Sequence, residues 1–359
     1  MPTLEGFSIR NFRLFEELEL SGLRRVNLFV GKNNTGKSAL LEALQVYAER
    51  ADLWLLRELS TGHPAAAGGI PAGLGVMENV PASAGELRHL FPGHRFPEAG
   101  GSGTSLGPPE GTPLRLRVIS SSAPRNGDGN GSARLAHRWL VREQDDAVDK
   151  LADLDAYAGA VAATTEPAAR VRSRRVSSYP LERAEVAAVW DGLEPSVWSR
   201  VTGILRLLEP GLEELDVRTL GLGSGPQVPV ARLSGVEGAV PVQDLGDGVE
   251  RLFQLLVALA GVRGGGLLLV DEIEQGLHWS IQQPVWEAIF ELAQELDVQV
   301  FATTHSRDGV AAFEQAWAKR PEEGAFFRLE RPAPGGDVEV VAYPRQVLSD
   351  SVETGVEVR

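Results

Sequence analysis

Apolar and polar residues along the chain follow patterns that predict strands alternating with helices. Short strands are predicted at residues 6–11 and 14–20, and an apolar strand at 25–30 leads directly into Gly31. At 37–59 apolar residues recur at helical spacing with charged residues between them, which predicts an amphipathic helix. The first part of the chain therefore predicts strands, then a glycine turn, then a helix.

The middle of the chain is less regular. Residues 61–113 are crowded with Gly, Pro, Ala and Ser and hold no sustained period, so we expect a long loop or a partly disordered insertion there. The elements predicted after it are strands at 114–120 and 134–142 around a turn at 126–131, and helices at 145–163, 181–193 and 195–208. This segment is therefore predicted to be Gly/Pro-rich first and mixed α/β afterwards.

The last third has the strongest pattern. Its predicted strands lie at 215–219, 228–233, 239–242, 267–270 and 298–302, and its predicted helices at 249–262, 280–296 and 307–319. Strands that alternate with helices favour a mostly parallel sheet with helices on both faces. We therefore predict an α/β fold with a mostly parallel core sheet and an N-terminal antiparallel β subdomain.

Composition narrows the classes of function. The 359 residues include no cysteine, so a metal would need oxygen or histidine ligands. A net charge of −14 argues against strong non-specific binding of nucleic acid, because summed positive charge holds a phosphate backbone. The first 20 residues lack the pattern of a secretory signal, and the most apolar stretch, 252–270, is interrupted by Arg263 and three glycines. We expect a cytoplasmic protein without a membrane span.

A phosphate-binding loop is predicted between the third strand and the helix that follows it. The segment 31–38 fits the pattern G-x-x-x-x-G-K-S, in which backbone N–H groups converge on a phosphate. Lys37 would neutralise phosphate charge, Ser38 would ligate Mg²⁺, and the positive N-terminus of the helix would face the phosphates. The residues expected to contact the nucleotide are Gly31, Lys32, Asn33, Asn34, Thr35, Gly36, Lys37, Ser38 and Ala39.

Two further strand ends carry candidate catalytic groups. The apolar strand at 267–270 ends in Asp271 and Glu272, and beside a phosphate loop this pair suits a Mg²⁺ ligand and a base that polarises the attacking water. The strand at 298–302 runs into a polar tip, where His305 can hydrogen-bond the γ-phosphate or order the water. Because ligands bind outside the carboxyl ends of parallel strands, we expect these groups at one edge of the sheet.

The turn at 244–251 precedes an almost wholly apolar helix. Its glycines, Gly246 and Gly248, can expose backbone N–H groups to an anion at the N-terminus of that helix. An Asp N-cap with a glycine-containing turn explains the same residues without a ligand. Taken alone, the turn favours this second interpretation.

Together, these motifs resemble the ABC-type ATPases in order and spacing, most closely their SMC-like and OLD-like branches, which are often described as AAA ATPases in prokaryotes. The opening segment 9–13, Ile-Arg-Asn-Phe-Arg, resembles theirs as well. The resemblance covers about residues 1–59 and 200–345. It implies a P-loop NTPase fold of the ABC-head type, ATP and Mg²⁺ as cofactors, and a homodimer in which the signature of one subunit completes the ATP site of the other.

The resemblance also implies a role for each motif. It places a Walker A loop at 31–38, a signature at 246–251, Walker B and D-loop residues at 271–278, and the switch histidine at His305. The site residues implied in this way are Lys37, Glu272 and His305 for catalysis, Ser38 and Asp271 for Mg²⁺, and Gly248 for nucleotide contact.

One departure from the family concerns the signature. Aligned on Glu250, Asp247 stands where the family commonly has Ser, and Val249 where it commonly has the second Gly. An extra carboxylate repels the γ-phosphate unless it is protonated or bound to a metal. We therefore expect a weaker or differently made contact between subunits. The family's Q-loop glutamine has no evident counterpart in the sequence.

The resemblance divides the chain into four parts. Residues 1–59 and 200–345 are expected to form the two parts of the ATPase head, 60–199 a long insertion between these lobes, and 346–359 a tail. We expect no Toprim nuclease region, so a nuclease or toxin would be a separate chain.

Two groups of residues have both a structural and a nucleic-acid interpretation. Trp279 and Trp286, after the D-loop, are expected to pack rather than to stack on bases. A basic run within the insertion is expected to form a solvated face rather than a nucleic-acid groove. This run consists of Arg170, Arg172, Arg174 and Arg175.

The leading hypothesis is Mg²⁺-dependent ATP hydrolysis by a head dimer that is coupled to a partner, with a DNA-related or anti-phage defence role implied only by the resemblance. The alternative is a nucleotide-gated clamp with negligible turnover, which Asp247 favours. The ATPase subunit of a transporter is less favoured, because the signature is degenerate and the insertion is long. The expected partners are a second copy of the chain and a separate effector protein or DNA, and no membrane.

Overall fold

The computed structural model describes residues 4–61, 84–122, 136–145, 147–154, 171–176, 181, 183–219, 227–333 and 336–358. Its strands are β1 (Gly6–Phe12), β2 (Phe15–Ser21), β3 (Val26–Val30), β4 (Thr104–Gly107), β5 (Leu114–Ser122), β6 (Ala136–Gln144), β7 (Ala147–Asp153), β8 (Ser173–Val176), β9 (Leu212–Thr219), β10 (Gln227–Leu233), β11 (Ala239–Pro241), β12 (Gly266–Val270), β13 (Val298–Thr303), β14 (Gly324–Glu330) and β15 (Glu339–Tyr343). Its α-helices are α1 (Lys37–Ala48), α2 (Leu53–Thr61), α3 (Arg183–Asp191), α4 (Pro195–Leu205), α5 (Asp247–Gly261), α6 (Trp279–Glu295), α7 (Arg307–Lys319) and α8 (Arg345–Thr354).

A six-stranded antiparallel sheet contains the first two strands. Its order is β2-β1-β4-β5-β6-β7, and every neighbouring pair runs antiparallel. Alternate residues of β1, such as Phe7 and Ile9, are fully buried in the same apolar cluster as Leu40 and Leu44 of α1. The predicted N-terminal antiparallel β subdomain is thus confirmed, and it shares a core with the helix that follows the phosphate loop.

The core sheet has the order β15-β14-β3-β13-β12-β8, in which only β15 is antiparallel to its neighbour. Strands β3, β12 and β13 are buried along their whole length, as mainly apolar strands predict for a parallel sheet, although β3 contains Asn27 and β13 contains Gln299. Leu267 and Leu269 belong to the apolar cluster of α1, whereas Leu268 and Val270 belong to that of α5, α6 and α7. The predicted mostly parallel sheet with helices on both faces is confirmed.

The register of the parallel strands aligns their carboxyl ends. Leu28 of β3 pairs with Ala302 of β13, which in turn pairs with Val270 of β12. The phosphate loop, Asp271 and the polar tip at 303–306 therefore leave the sheet at the same edge, as the sequence predicts.

The segment 60–199 contributes to both sheets. It supplies β4, β5, β6 and β7 to the antiparallel sheet and the edge strand β8 to the core sheet. Val176 of β8 pairs with Val270 of β12, so this edge also reaches the carboxyl end of the core sheet. The division of the chain at residues 59, 199 and 345 stays a prediction.

Two local predictions in this segment are wrong. The expected helix at 145–163 is replaced in its described part by β7, which pairs antiparallel with β6 after a turn that begins at Asp145 with φ of 51°. The expected loop at 61–113 contains β4 and a 3₁₀ helix at Ala84–Leu90. The first error arises because β7 forms a hairpin with the neighbouring strand β6, and the second because β4 pairs with β1, a strand far away in the sequence. Residues 62–83 and the turn predicted at 126–131 lie outside the described residues.

The single helix predicted at 37–59 is divided into α1 and α2. Arg50 and Ala51 between them adopt φ of 52° and 50°, which a continuous right-handed helix does not allow. Arg142 of β6 donates from Nη1 to the carbonyl oxygen of Arg50 at 2.8 Å and so satisfies a group that the helix leaves free. The break therefore follows from a contact that the local pattern does not show.

A smaller antiparallel sheet, β11-β10-β9, lies beside α3, α4 and α5. Helix α5 is buried along most of its length and begins at the turn that resembles a signature. Throughout the described ranges, no helix is long and apolar enough to cross a membrane, the apolar α5 included.

Candidate functional site

The phosphate-binding loop joins β3 to α1 and depends on two of its glycines. Gly36 has φ of 96°, and an added Cβ there would lie 2.7 Å from the ring of Phe15. A Cβ at Gly31 would overlap the carbonyl oxygen of Leu329. Asn34 has φ of 64°, a conformation in which Asn is enriched. The loop is thus held between β2 and β14 along a path that other residues would not follow.

Lys37 is directed back onto its own loop. Its Nζ donates to the carbonyl oxygens of Gly31 at 2.8 Å and Lys32 at 2.9 Å, and the Thr35 hydroxyl donates to the latter oxygen at 2.9 Å. Burial lowers the pKa of Lys37, and the three carboxylates that follow β12 oppose this shift. The ammonium is therefore partly desolvated and already lies where the loop curves around it.

Asp271, at the end of β12, has partners on both carboxylate oxygens. The Thr303 hydroxyl donates to Oδ1 at 2.6 Å, and Arg175 Nη2 lies 3.2 Å from Oδ2. Burial acts to raise the pKa of Asp271, but hydrogen bonds from Thr303 and Ser38 and the charge of Arg175 outweigh it, so the pKa is lowered. The two residues predicted to hold Mg²⁺, Ser38 and Asp271, are therefore adjacent, and the carboxylate is ionised at neutral pH.

The donor set suits Mg²⁺ held together with a nucleotide. Mg²⁺ is usually bound by one or two carboxylates plus substrate phosphates and keeps several waters. Ser38 and Asp271 supply one hydroxyl and one carboxylate. Among the described residues, no group of three or more His, Asp and Glu side chains could hold a metal by itself. The site therefore fits a metal that arrives with phosphate ligands.

Glu272 and His305 lie together beyond the strand ends. His305 Nε2 is 3.8 Å from Glu272 Oε1, and the Glu272 side chain is 51% exposed. Glu272 has φ of 49°, a conformation that costs about 1–3 kcal/mol and is often found at functional sites. Its backbone N–H donates to the Thr303 hydroxyl at 2.9 Å, which holds the strained residue in place. Two of the three residues predicted to be catalytic, Glu272 and His305, are thus brought to one place.

Glu274 is a site residue that sequence analysis did not identify. Its Oε1 accepts a hydrogen bond from the backbone N–H of His305 at 2.9 Å, while Oε2 is buried with no partner among the described residues. Glu274 therefore fixes the backbone position of His305. Its place two residues after Glu272 is the signal in the sequence, but that spacing alone does not reveal a partner in the segment that follows β13.

The turn that resembles a signature lies against the D-loop of the same chain. Gly246 has φ of 100° and stands at the N-cap of α5, where Asp247 is exposed. A Cβ added at Gly248 would lie 3.0 Å from the carbonyl oxygen of Gly276. Gly248 thus allows close approach of the turn to the D-loop, and its predicted contact with a nucleotide stays a prediction.

The two tryptophans after the D-loop differ. Trp286 is buried and meets Phe313 edge to face, so its predicted packing role is confirmed. Trp279 is 65% exposed and touches the His278 ring, so the packing prediction is wrong for this residue. Trp279 is the first residue of α6, where a helix end reaches the surface.

Arg175 was expected on a solvated face, and this prediction is wrong. It lies in β8 with a side chain that is 19% exposed, between Glu42 of α1 and Asp271. Because β8 pairs with β12, the last residues of the basic run enter the core sheet. Arg170 lies outside the described residues.

Comparison with known proteins identifies the family of the chain. The family described as "AAA domain, putative AbiEii toxin, Type IV TA system" matches residues 113–311, more than half of the chain. The chain belongs to this AAA-domain family. A second family, "AAA ATPase domain", matches residues 3–55, which include the phosphate loop. As a member of the AAA-domain family, the chain is a nucleotide-binding protein of the P-loop ATPase type, and the predicted P-loop NTPase fold is confirmed.

Individual relatives add little beyond the family. The "Uncharacterized protein MJECL10" of Methanocaldococcus jannaschii is 46% identical over 44 residues, which are 12% of this chain and 20% of that protein. The chain thus matches about a fifth of the length of that relative.

Solved structures of SMC heads are similar to the whole chain. An SMC head bound to the C-winged helix domain of ScpA has a TM-score of 0.48 at 16% identity, over 96% of this chain and 98% of that chain. The SMC head domain from Thermotoga maritima has a TM-score of 0.43 at 12% identity, over 96% and 99%. The Smc head with an extended coiled coil from Pyrococcus furiosus, bound to the C-terminal domain of ScpA, has a TM-score of 0.48 at 12% identity, over 99% and 100%. At these values the likeness carries no conclusion about activity or partners.

Proposed function

We propose that this AAA-domain protein binds ATP with Mg²⁺ and hydrolyses it as a dimer of ABC-type heads. The observation that carries the proposal is the meeting of five residues from three distant segments at one edge of the core sheet. These residues are Lys37, Ser38, Asp271, Glu272 and His305. Each has the chemistry that phosphoryl transfer requires, which is mainly positioning and stabilisation of charge.

Lys37 and the loop would bind the phosphates. The ammonium now donates to two backbone carbonyl groups, and phosphate oxygens are stronger acceptors than neutral carbonyl oxygens. Its partial desolvation strengthens attraction to a negative ligand, because the local dielectric is low. Ser38 and Asp271 would hold Mg²⁺, which when bound neutralises phosphate charge.

Glu272 and His305 would act on the attacking water. A carboxylate that is half exposed at the strand end can accept a proton from water, provided that it lies within hydrogen-bond reach. His305, held through its backbone by Glu274, would order the water or contact the γ-phosphate. Thr303 links the two functions, because its hydroxyl contacts both the Asp271 carboxylate and the Glu272 backbone.

The dimer would place the signature turn of one protomer against the nucleotide of the other. Gly246 and Asp247 are exposed at the N-terminus of α5, which carries partial positive charge. A helix N-terminus with glycines is a ready site for an anion. Gly248 is therefore proposed to contact the partner's nucleotide.

A nucleotide-gated clamp with negligible turnover is the second candidate. Asp247 favours it, since its carboxylate is exposed at the turn proposed to face a γ-phosphate and would repel it. A clamp of this kind would bind ATP with negligible turnover and use it mainly to hold partners together.

The process in which the ATPase acts is proposed from the family. Its description names a putative toxin of a type IV toxin–antitoxin system. We extend to this chain a role in anti-phage defence or a DNA-related process, with a separate effector protein or DNA as partner.

Steady-state ATP hydrolysis across a series of protein concentrations, with Mg²⁺, tests the proposal. Molecular mass is measured in parallel with and without ATP. Specific activity that rises with concentration, together with dimers formed in ATP, would support the dimeric ATPase. Tight ATP binding without turnover at any concentration would favour the clamp, and absence of ATP binding would refute both.

A further inference from the structure

A largely buried guanidinium lies against the carboxylate that is proposed to hold Mg²⁺. Arg175 places Nη2 3.2 Å from Asp271 Oδ2 and Nη1 3.3 Å from Glu42 Oε1. Its Nε is buried and has no hydrogen-bond partner among the described residues. Since the Thr303 hydroxyl occupies Oδ1, both oxygens of Asp271 are engaged within the chain.

The sheet, rather than a loop, fixes the position of Arg175. In the parallel register Arg175 pairs with Leu269, and the backbone N–H of Asp271 donates to the carbonyl oxygen of Val176 at 3.0 Å. Side chains alternate between the faces of a strand, so Arg174 and Arg175 lie on opposite faces of β8. Only Arg175 is therefore directed to Glu42 and Asp271.

A second arginine shares Glu42. Arg13 Nε lies 2.8 Å from Glu42 Oε2, and the Arg13 guanidinium also donates to the carbonyl oxygens of His89 and Leu59. The side chains of Arg13 and Glu42 are 21% and 15% exposed, so the attraction between their charges is poorly screened by water. Two positive and two negative charges thus alternate from Arg13 through Glu42 and Arg175 to Asp271.

We propose that Arg175 is a positioning residue that holds the Asp271 carboxylate before the nucleotide arrives and weakens the coupling between Mg²⁺ and ATP binding. This inference rests on the proposed ATP site. Without Mg²⁺, the guanidinium offsets the repulsion between Asp271 and a triphosphate. With Mg²⁺, the same positive charge opposes a dication at that carboxylate. Arg175 therefore favours the metal-free complex over the metal-bound complex.

Calorimetric titration with the non-hydrolysable analogue AMP-PNP tests this, once in EDTA and once in Mg²⁺. The quantity of interest is the dissociation constant in EDTA divided by the dissociation constant in Mg²⁺. This ratio measures the coupling between metal binding and nucleotide binding. In Arg175→Gln we expect AMP-PNP to bind more weakly in EDTA but not in Mg²⁺, so the ratio rises about tenfold. Glu42→Gln removes a negative partner of Arg175, and its ratio is expected to fall below that of the wild type.

Two controls separate this effect from loss of charge or of folding. Arg174→Gln makes the same change one position away on the opposite face of β8, and its ratio should equal that of the wild type. Arg175→Lys keeps the positive charge and should restore most of the wild-type ratio. If Arg175→Gln fails to fold, Glu42→Gln provides the test, and an unchanged ratio in that variant would overturn the inference.

The outcomes are distinguishable. Equal weakening of both dissociation constants in Arg175→Gln, with an unchanged ratio, would mean a merely structural role and overturn the inference. A rise of the same size in Arg174→Gln would overturn it as well. Failure of the wild type to bind AMP-PNP in either condition would instead refute the proposed ATP site.

Discussion

The proposed site has two halves, a phosphate half around Lys37 and Asp271 and a signature half around Gly246 and Asp247. The two halves differ in how completely a single chain forms them. In the phosphate half, Lys37 donates to two carbonyl groups of its own loop, and Asp271 is bonded to Thr303 and Arg175. In the signature half, Gly246 and Asp247 are exposed at the start of α5. In the phosphate half, the fold holds the side chains in place before any ligand arrives. The signature half is an exposed turn that another molecule can contact.

This difference has a physical cause. Parallel strands that are buried on both faces have one register, because a slip would misplace every side chain, and their ends therefore place catalytic groups reproducibly. The signature turn lies at the end of a helix that packs through its apolar face, and its polar tip contributes little to the core. A tip of this kind can face another molecule without loss of stability. Four experiments test this difference between the two halves of the site.

Lys37→Ala is expected to have the largest effect on the site as a whole, because without the ammonium around which the phosphate loop curves both ATP binding and the hydrolysis that depends on it are lost. ATP binding should weaken by at least about 100-fold, measured by calorimetry in Mg²⁺. Lys32→Ala removes the same charge from an exposed position of the loop and should have a much smaller effect. Normal ATP affinity in Lys37→Ala would refute the phosphate-loop assignment.

Glu272→Gln should slow hydrolysis by about 1,000-fold, because the amide cannot accept a proton from water. ATP binding is retained, so the variant is expected to accumulate as a dimer in ATP, as light scattering would show. Glu339→Gln makes the same chemical change at an exposed position of β15 and should hydrolyse ATP like the wild type. Full activity of Glu272→Gln would exclude Glu272 as the base.

Asp271→Asn tests how strongly the phosphate half is held together without a ligand. The lowered pKa of Asp271 means that the ionised form stabilises the fold above the pKa of an unfolded aspartate, about 3.9. The contribution is lost as the pH falls through the lower pKa of the folded state. At pH 7 the variant should be less stable by about 2 kcal/mol, because bonds to a charged group are lost.

Denaturant unfolding of both proteins between pH 7 and pH 3 measures this difference. The difference in free energy of unfolding between the wild type and Asp271→Asn should be constant near neutral pH and decrease in acid. A difference that stays the same at every pH would show that the ionised carboxylate does not stabilise the phosphate half.

Asp247→Ser should have the smallest effect, and it addresses the signature half. Removing the exposed carboxylate should strengthen the dimer formed in ATP about threefold, since repulsion of the γ-phosphate is relieved. ATP affinity of the monomer should not change. The measurement is the dimer dissociation constant in the Glu272→Gln background, and Asp244→Ser, which removes a neighbouring exposed charge, is the control. Equal effects of the two variants would show that the change in net charge, rather than the position of Asp247, causes the effect.

The features that depend on neighbouring residues were predictable from the sequence. The phosphate loop with Gly31 and Lys37 was recognisable because its glycines and lysine serve one local geometry. Strands β3, β12 and β13 were predictable because burial on both faces favours runs of mainly apolar residues. From these runs it also followed that Asp271 and His305 lie at one edge of the sheet.

The distant groups that act on these residues depend on the tertiary structure. Arg175 reaches Asp271 because β8 pairs with β12, and Glu274 holds His305 because β12 and β13 end at the same level. Pairing between strands that are far apart in sequence leaves no local period, so a basic run suggested solvent where the fold formed an ion pair. Local pattern specifies the chemistry that a residue can perform, whereas long-range strand pairing specifies the partner on which it acts.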